Sequence, residues 1–285
     1  MTTYLVTGAS GQLGQRVVDH LRSLVPAQDI IALVRSDAAR EGFQTSGIAT
    51  RHGDYEDLDS LRAAFDGVDR LLLISSSEIG KRADQHRNVL AAAKSAGVGF
   101  VAYTSILNAD SGGMALAEEH VATEAALRDS GLPHAILRNG WYSENIAGTA
   151  PQAVEMGQHF GAAGEGRFAT ASRQDFAEAA AVVLAHEGHE GKTYELGGDT
   201  DFSLSDYAAL LSEVGNKPVS YVNLDEAGYA AALVGAGLPE GFAAILADSD
   251  ARAATGALTT QSRDLSRLIG RPTTPMRDTL KTVLS

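Results

Sequence analysis

The chain has 285 residues, of which 44% are hydrophobic and 21% charged, as in a globular protein with a full-sized core. Its formal net charge of -13 excludes a nucleic-acid partner, because binding to a phosphate backbone requires clustered lysine and arginine. The lack of cysteine excludes disulfides and cysteine nucleophiles, and the lack of a long apolar run excludes membrane insertion.

The first half of the chain alternates β-rich runs with helical patterns. Strands are predicted at 4–7, 30–34, 47–52, 71–74, 100–104 and 134–137, and helices at 13–24, 57–65, 83–96 and 115–129. Continuous apolar runs such as residues 30–34 are typical of buried parallel strands. Repeated βα units at this spacing predict an α/β fold, a doubly wound parallel sheet of the Rossmann type.

After Asn139 the alternation weakens. A glycine-rich loop at 161–166 precedes a helix predicted at 175–186, and strands are predicted at 192–196 and 219–222. Ser203 or Ser205 is expected to cap a helix at 207–214, and the chain from Asp225 onward is mostly helical. We therefore predict a Rossmann-type domain at 1–148, a fold that commonly binds dinucleotides. A smaller α-rich lobe at 149–285 is expected to cover the substrate, with segments returning to the main sheet.

The first predicted strand runs into a glycine pattern, Gly8-Ala-Ser-Gly11-Gln-Leu-Gly14, and a helix follows at once. Gly8 permits the tight turn, Gly11 allows the backbone to approach a pyrophosphate, and Gly14 allows close packing of helix on strand. Free amides at the start of the helix, together with its dipole, face the anion. This context indicates a dinucleotide site formed by Gly8, Ala9, Ser10, Gly11, Gln12 and Leu13.

Five further residues, at three places in the chain, are candidate cofactor contacts. Arg35 ends the second strand, where NAD-selective sites usually place an acid, so we predict NADPH as cofactor, with NADH binding more weakly; an exposed surface arginine is the alternative. Asp54 is either an acceptor for the adenine amino group or a turn cap. Ser75, Ser76 and Ser77 follow the fourth strand, where a dinucleotide passes over the sheet edge.

Several segments together carry a resemblance to a known family. They are the glycine loop and residues 72–78, 85–88, 137–145, 188–195 and 268–274. On these segments the chain resembles the bacterial type 2 NAD(P)H:quinone oxidoreductases, which are NmrA-like, atypical short-chain dehydrogenases. The resemblance implies an NADPH-preferring quinone reductase without flavin or metal. It also implies cofactor contacts from Asn139, Gly140, Trp141, Tyr142, Ser143 and Glu144.

Other activities remain open at this stage. Related proteins reduce triphenylmethane dyes, and some NmrA-like proteins bind NADP(H) as non-catalytic sensors. We expect a cytoplasmic protein, because the sequence has no basic leader with an apolar core. Whether the chain forms a homodimer is open.

The helix after the fifth strand lacks the Tyr-x-x-x-Lys pair of typical short-chain dehydrogenases. It carries His120 and Glu124 at the i, i+4 spacing instead. His120 is a candidate proton donor near neutral pH, and a surface histidine paired with Glu124 is the alternative. A quinone needs such an acid less than a ketone, because hydride attack gives a phenolate-type oxyanion with a pKa near ~10 that takes its proton from water.

Tyr142 is the second candidate for a direct role in the reaction. It follows the sixth strand with Trp141, at the carboxyl end of the predicted sheet. An aromatic ring there could stack on a flat acceptor, and core packing is the alternative. No metal site is predicted, because His186 and His189 lack a cluster of further ligands.

Overall fold

Strands and helices alternate through the first half of the chain in the computed structural model, which describes residues 1–44 and 46–285. The strands are β1 (Tyr4–Val6), β2 (Ile30–Val34), β3 (Ala49–His52), β4 (Arg70–Leu73), β5 (Phe100–Ile106), β6 (His134–Asn139), β7 (Gln158–Gly161), β8 (Arg167–Phe168), β9 (Thr193–Leu196), β10 (Phe202–Ser203) and β11 (Ser220–Asn223). The helices are α1 (Gln12–Leu21), α2 (Asp37–Gln44), α3 (Leu58–Ala64), α4 (Arg82–Ala96), α5 (Glu118–Ser130), α6 (Ser143–Ala147), α7 (Ala150–Met156), α8 (Arg173–Ala185), α9 (Leu204–Gly215), α10 (Glu226–Gly235), α11 (Glu240–Ala253), α12 (Asp264–Ile269) and α13 (Met276–Leu284). Short 3-10 turns occupy Ala27–Asp29 and Ala115–Ala117.

The main sheet has the strand order β3-β2-β1-β4-β5-β6-β9 within the described residues. The pairs β1–β2, β1–β4, β2–β3 and β4–β5 are parallel. The strand order reverses between β1 and β4, and ligands of doubly wound sheets bind at this switch point, outside the carboxyl ends of the strands. The predicted fold class is confirmed.

Two compact units divide the chain. The first contains residues 1–106, 119–138 and 173–194, and the second contains 107–118, 139–172 and 195–285. The units interleave along the sequence, and β9, which lies well beyond residue 148, is a strand of the main sheet. The predicted functional division at 1–148 and 149–285 stays a prediction.

In the first unit, a core forms between the sheet and helices α3, α4 and α5. Its fully buried members include Leu5 of β1, Leu71 of β4 and Val89 of α4. All residues of β2 and β5 are buried, and this burial explains the continuous apolar run of β2. Arg70 caps the carboxyl end of α8. Its guanidinium donates to the carbonyl oxygens of Leu184, in the last turn (2.6 Å), and of His186, just after the helix (2.7 Å). These carbonyls have no partner inside the helix, so the guanidinium satisfies them.

The second unit has its own core, in which α6, α7, α9 and α13 pack together. Tyr207, Leu211 and Leu280 are fully buried there. Strand β7 pairs with β11 in parallel, and β8 pairs with β10 in antiparallel orientation. Ser203, one of the two predicted caps, begins α9 by a capping box with Asp206. In the described part of the chain, no helix is long and apolar enough to cross a membrane.

Candidate functional site

The glycine loop between β1 and α1 has the geometry that its sequence predicts. Gly8 has a φ of +57°, and the N–H of Gly11 donates to the Gly8 carbonyl oxygen at 3.0 Å to close the turn. A Cβ atom on Gly14 would lie 2.7 Å from Ala9 Cα and closer still to the Gly8 carbonyl oxygen. The turn role of Gly8 and the packing role of Gly14 are therefore confirmed.

The first turn of α1 fits a bound anion. Gly11 is its N-cap residue, no acidic side chain occupies the first turn, and the N-cap residue supplies no side-chain acceptor. The backbone amides of this turn point out of the helix, at the positive end of its dipole. A pyrophosphate is therefore compatible with the loop from Gly8 to Leu13, whose assignment as cofactor contacts stays a prediction.

Arg35 lies at the carboxyl end of β2 with two-thirds of its side chain exposed. Its Nη1 atom is 3.3 Å from Oε1 of Glu78, and Glu78 Oε2 is 3.7 Å from Nζ of Lys81. Lys81 in turn binds Glu56 at 2.9 Å. Exposed pairs of this kind contribute at most about 1 kcal/mol, so a phosphate could exchange with Glu78 as the partner of Arg35.

Asp54 acts as a turn cap. Its Oδ1 atom accepts from the N–H of Glu56 at 2.9 Å, and its own N–H donates to Oγ of Ser60. The cap alternative is thus confirmed, while the contact with adenine stays a prediction. Tyr55, the next residue, was not singled out from the sequence; its hydroxyl donates to the carbonyl oxygen of Ile74 at 2.9 Å and also contacts Thr7 Oγ1.

The serine loop, residues 75–77, follows β4 and begins beside the glycine loop. A Cβ atom on Gly8 would lie 3.3 Å from Cβ of Ile74, the residue before the serine loop. Ser75 donates its N–H to Thr104 Oγ1 at 2.9 Å, and Ser76 donates its N–H to His86 Nε2 at 3.0 Å. The structure therefore brings the predicted serines to the edge of the sheet that carries the glycine bend.

The predicted surface pair of His120 and Glu124 is wrong. The helix face that carries both residues is buried, and His120 Nδ1 lies 2.8 Å from the hydroxyl of Tyr103. Glu124 accepts instead from Ser105 Oγ (2.7 Å), from Arg138 Nε (2.9 Å) and Nη2 (2.7 Å), and from Arg128 Nη2 (2.9 Å). Spacing showed that the two residues share a face, but could not show that other elements cover it.

Burial, with smaller contributions from Arg82 and His86, lowers the pKa of His120 well below its ordinary value. The imidazole is therefore neutral near pH 7 and already bonded to Tyr103. Such a group is a poor proton donor. Its catalytic assignment stays a prediction that the geometry does not favour.

The predicted contacts from Asn139 to Glu144 belong to the second unit. Within that unit, Gly140 donates its N–H to the carbonyl oxygen of Leu196 at 2.8 Å, and Ser143 Oγ binds Thr170 Oγ1 at 2.9 Å. Trp141, Tyr142 and Glu144 are half-buried, and Tyr142 forms a backbone bridge with Ala171. Among the described residues, Oδ1 of the buried Asn139 has no hydrogen-bond partner. Such an acceptor fits an N–H donor from a ligand, for example a carboxamide.

Sequence reasoning missed Tyr55, His86 and Thr104, whose side chains hold backbone groups of the segment from Ile74 to Ser76. Their partners lie far away along the chain, so no local pattern identifies them. The sequence indicates His86 only as a member of the family segment 85–88. In the part of the chain that the structure describes, no three histidine or acidic side chains form a group that could hold a metal ion.

Comparison with known proteins gives consistent results. A family model described as NAD(P)H-binding matches residues 8–187. Quinone oxidoreductase 2 of Escherichia coli (strain K12) is 52% identical over 275 residues, which cover 96% of each chain.

Solved structures agree with this result. The NADPH-dependent quinone oxidoreductase from Escherichia coli complexed with NADPH superimposes with a TM-score of 0.97 and 50% identity, over 99% of this chain and 100% of that chain. The Citrobacter sp. triphenylmethane reductase complexed with NADP(H) gives a TM-score of 0.94 and 39% identity, with the same coverage. The predicted resemblance is confirmed: the chain belongs to the bacterial type 2 NAD(P)H:quinone oxidoreductase family, among the NmrA-like NAD(P)H-binding proteins.

Proposed function

We propose that this protein is an NADPH-dependent oxidoreductase that transfers a hydride to small quinones without flavin or metal. The observation that carries the proposal is the glycine bend at the switch point of the sheet, where Gly14 packs against Gly8. The bend presents helix amides to a pyrophosphate. The name of the Escherichia coli relative, a quinone oxidoreductase, supports the acceptor class.

Three parts of the first unit would hold the cofactor. The turn from Gly8 to Leu13 would bind the pyrophosphate, and Arg35 would bind the 2′-phosphate and thus prefer NADPH over NADH. The hydroxyls of the serine loop would contact ribose and phosphate. When bound, NADPH supplies the hydride, and the quinone takes a proton from water to give the hydroquinone.

Tyr142 is proposed to stack on the flat acceptor. Its half-buried ring belongs to the second unit, in the segment that ends β6 and begins α6. Replacement of Tyr142 by Ala should raise the quinone KM and leave the Kd for NADPH nearly unchanged. Unchanged quinone kinetics would contradict this role.

The deciding experiment follows NADPH oxidation by absorbance with a panel of acceptors. The panel contains a benzoquinone, a naphthoquinone, a triphenylmethane dye and a control without acceptor. Rapid oxidation with the quinones is expected. Calorimetric binding of NADPH without oxidation by any acceptor would identify a sensor instead, and oxidation with the dye alone would identify a dye reductase.

Cofactor choice is tested separately at Arg35. A charge-assisted hydrogen bond contributes about 1.5–3 kcal/mol, so Arg35→Ala should raise the Kd for NADPH by about 10- to 100-fold. The Kd for NADH should change much less. Arg40→Ala is the matched control, because Arg40 is an exposed arginine on α2 that pairs only weakly with Asp37 at 3.8 Å. Equal losses for both cofactors would refute the assignment.

We also place the protein in the cytoplasm, where the cell regenerates NADPH for reductases. Fractionation of cells that produce the protein tests this location. Sedimentation of the purified protein with and without NADPH decides between a monomer and a homodimer.

A further inference from the structure

The segment from Ile74 to Ser76 is held by side chains. Strand β4 ends at Leu73, and in the residues that follow, backbone groups bond to side chains from four other parts of the first unit. The bonds join Ile74 N–H to Thr7 Oγ1 (3.0 Å), the Ile74 carbonyl to the Tyr55 hydroxyl (2.9 Å), Ser75 N–H to Thr104 Oγ1 (2.9 Å), Ser76 N–H to His86 Nε2 (3.0 Å) and the Ser76 carbonyl to Arg82 Nε (2.7 Å).

The neighbours of His86 determine its tautomer. The carbonyl oxygen of Glu119 can only accept, so the Thr123 hydroxyl donates its proton to it at 2.8 Å. The Thr123 oxygen then accepts from Nδ1 of His86, 2.9 Å away. Nδ1 therefore carries the imidazole proton. Nε2 keeps its lone pair, which accepts the N–H of Ser76 at 3.0 Å.

The surroundings of His86 keep the ring neutral and fix its plane. The side chain is fully buried, and burial together with the positive charge of Arg82 lowers the pKa of His86 to about 3. The rings of Tyr55 and Tyr103 pack edge-on against the imidazole, with centroids 6.1 and 5.4 Å away. An unprotonated acceptor is thus present at every pH at which the enzyme would work.

An apolar side chain of similar size would fill the same space, but it would leave the N–H of Ser76 without an acceptor. Ser76 is partly buried, and an N–H that is shielded from water without a partner is costly, so the loop would rearrange to reach water. Rearrangement would matter for binding, because the segment starts beside the glycine bend at Gly8.

We infer that His86 is a positioning residue whose unprotonated Nε2 fixes the backbone of the serine loop and thereby sets the affinity for NADPH. This inference rests on the proposed cofactor site. His86 would not touch the cofactor itself; it acts through Ser76.

Two amide substitutions test the hydrogen-bond acceptor of His86, Nε2, separately from the packing of its ring. In His86→Gln, the amide oxygen can take the place of Nε2 and accept from Ser76. In His86→Asn, the shorter amide reaches only the place of Nδ1. Both variants lose the aromatic contacts with Tyr55 and Tyr103, so each is the control for the other in thermal stability.

The first measurement is amide hydrogen exchange at Ser76 without added NADPH. Slow exchange is expected in the wild-type protein and in His86→Gln, and at least about 10-fold faster exchange in His86→Asn. Equal exchange in the two variants would overturn the inference. Because this readout involves no cofactor, it is independent of the proposed function.

The second measurement is the Kd for NADPH together with kcat for quinone reduction. His86→Asn should raise the Kd by at least about 5-fold and His86→Gln by less than about 2-fold, while kcat at saturating NADPH changes little in both. Faster Ser76 exchange with an unchanged Kd would overturn the link to binding. Failure of the wild-type protein itself to bind NADPH would refute the proposed function instead.

A third measurement needs no substitution. Nitrogen-15 spectra of the wild-type imidazole should show His86 protonated at Nδ1 and unprotonated at Nε2 at neutral pH. This test remains decisive even if both variants fail to fold. A proton on Nε2 would overturn the inference, because that nitrogen could not accept from Ser76.

Discussion

Replacement of Gly14 by Ala tests whether the contact between helix α1 and the glycine bend sets both stability and cofactor binding. The new Cβ atom would lie 2.7 Å from Ala9 Cα, and it would approach the Gly8 carbonyl oxygen more closely still. Carbon atoms pack at about 3.5 Å, so helix and bend must separate by about 1 Å. Both obstacles are backbone, which cannot rotate away as a side chain can.

Two opposing effects decide the size of the change in stability. Alanine is favoured over glycine inside a helix by about 1 kcal/mol. Overpacking costs about 1–3 kcal/mol and more where backbone must move, so we expect Gly14→Ala to lower the free energy of unfolding by about 2 kcal/mol. Displacement of the helix amides should also raise the Kd for NADPH by more than about 10-fold.

The matched control is Gly241→Ala in α11. Among the described residues, nothing lies within 4 Å of a Cβ atom placed on Gly241. This variant should be as stable as the wild-type protein or slightly more stable, with an unchanged Kd. Urea unfolding and calorimetric titration with NADPH measure both quantities. A Gly14→Ala protein with wild-type stability and wild-type Kd would refute the reasoning about the bend.

Four further substitutions, at Arg138, Arg128, Glu78 and His86, test ionisable groups of the first unit. Arg138→Leu leaves its buried glutamate partner without this cation and should cost about 3–5 kcal/mol in urea unfolding, whereas Arg128→Leu, at the exposed end of the same network, should cost less than about 1 kcal/mol. Glu78→Gln removes the anion beside Arg35 and should lower the Kd for NADPH about 3-fold by calorimetry, with NADH unaffected. His86→Gln should flatten the acid side of the stability profile. The folded pKa of His86 is about 3, so between about pH 3 and about pH 6.5 only the unfolded chain binds a proton at this residue. On acidification through this range, the wild-type protein therefore loses about 1.4 kcal/mol of folding stability per pH unit because of His86. Equal slopes in the two proteins between pH 5 and about pH 6.5 would contradict the depressed pKa.

The strands and helices of the first half of the chain were predictable, because each of them follows from a local physical requirement. Parallel strands buried on both faces need continuous apolar runs, and β2 appears with the predicted bounds, Ile30–Val34. The helix predicted from residue 57 is also present: Asp57 caps α3, and its carboxylate accepts from the backbone N–H groups of Asp59 and Ser60. The two-residue strands β8 and β10 were not predicted, because so short a pairing has no periodicity along the sequence.

The candidate site likewise has one part that the sequence predicts and one part that it does not. The geometry of Gly8 and Gly14 follows from local steric limits, so the sequence alone indicates it. The role of His86 depends on hydrogen bonds to residues 10 and 37 positions away, which become neighbours only in the folded sheet. Partners so far apart along the chain leave no pattern in the local sequence. Burial in the folded protein then lowers the pKa of His86, which no local pattern shows either.

The buried face of α5 limits the classes of electron acceptor that the proposed enzyme could reduce. The helix positions that would supply an acid carry His120, bonded to Tyr103, and Glu124, bonded to two arginines. The pKa of Glu124 is lowered overall, because hydrogen bonds from Arg138 and Ser105 outweigh its desolvation, so it stays ionised near neutral pH. Without a proton donor on this face, the product must be an anion that survives until water protonates it. A phenolate meets that condition, because its conjugate phenol has a pKa of ~10. The alkoxide formed by reduction of a simple ketone is far more basic and does not meet it. The same burial that removes the acid therefore favours quinones over ketones.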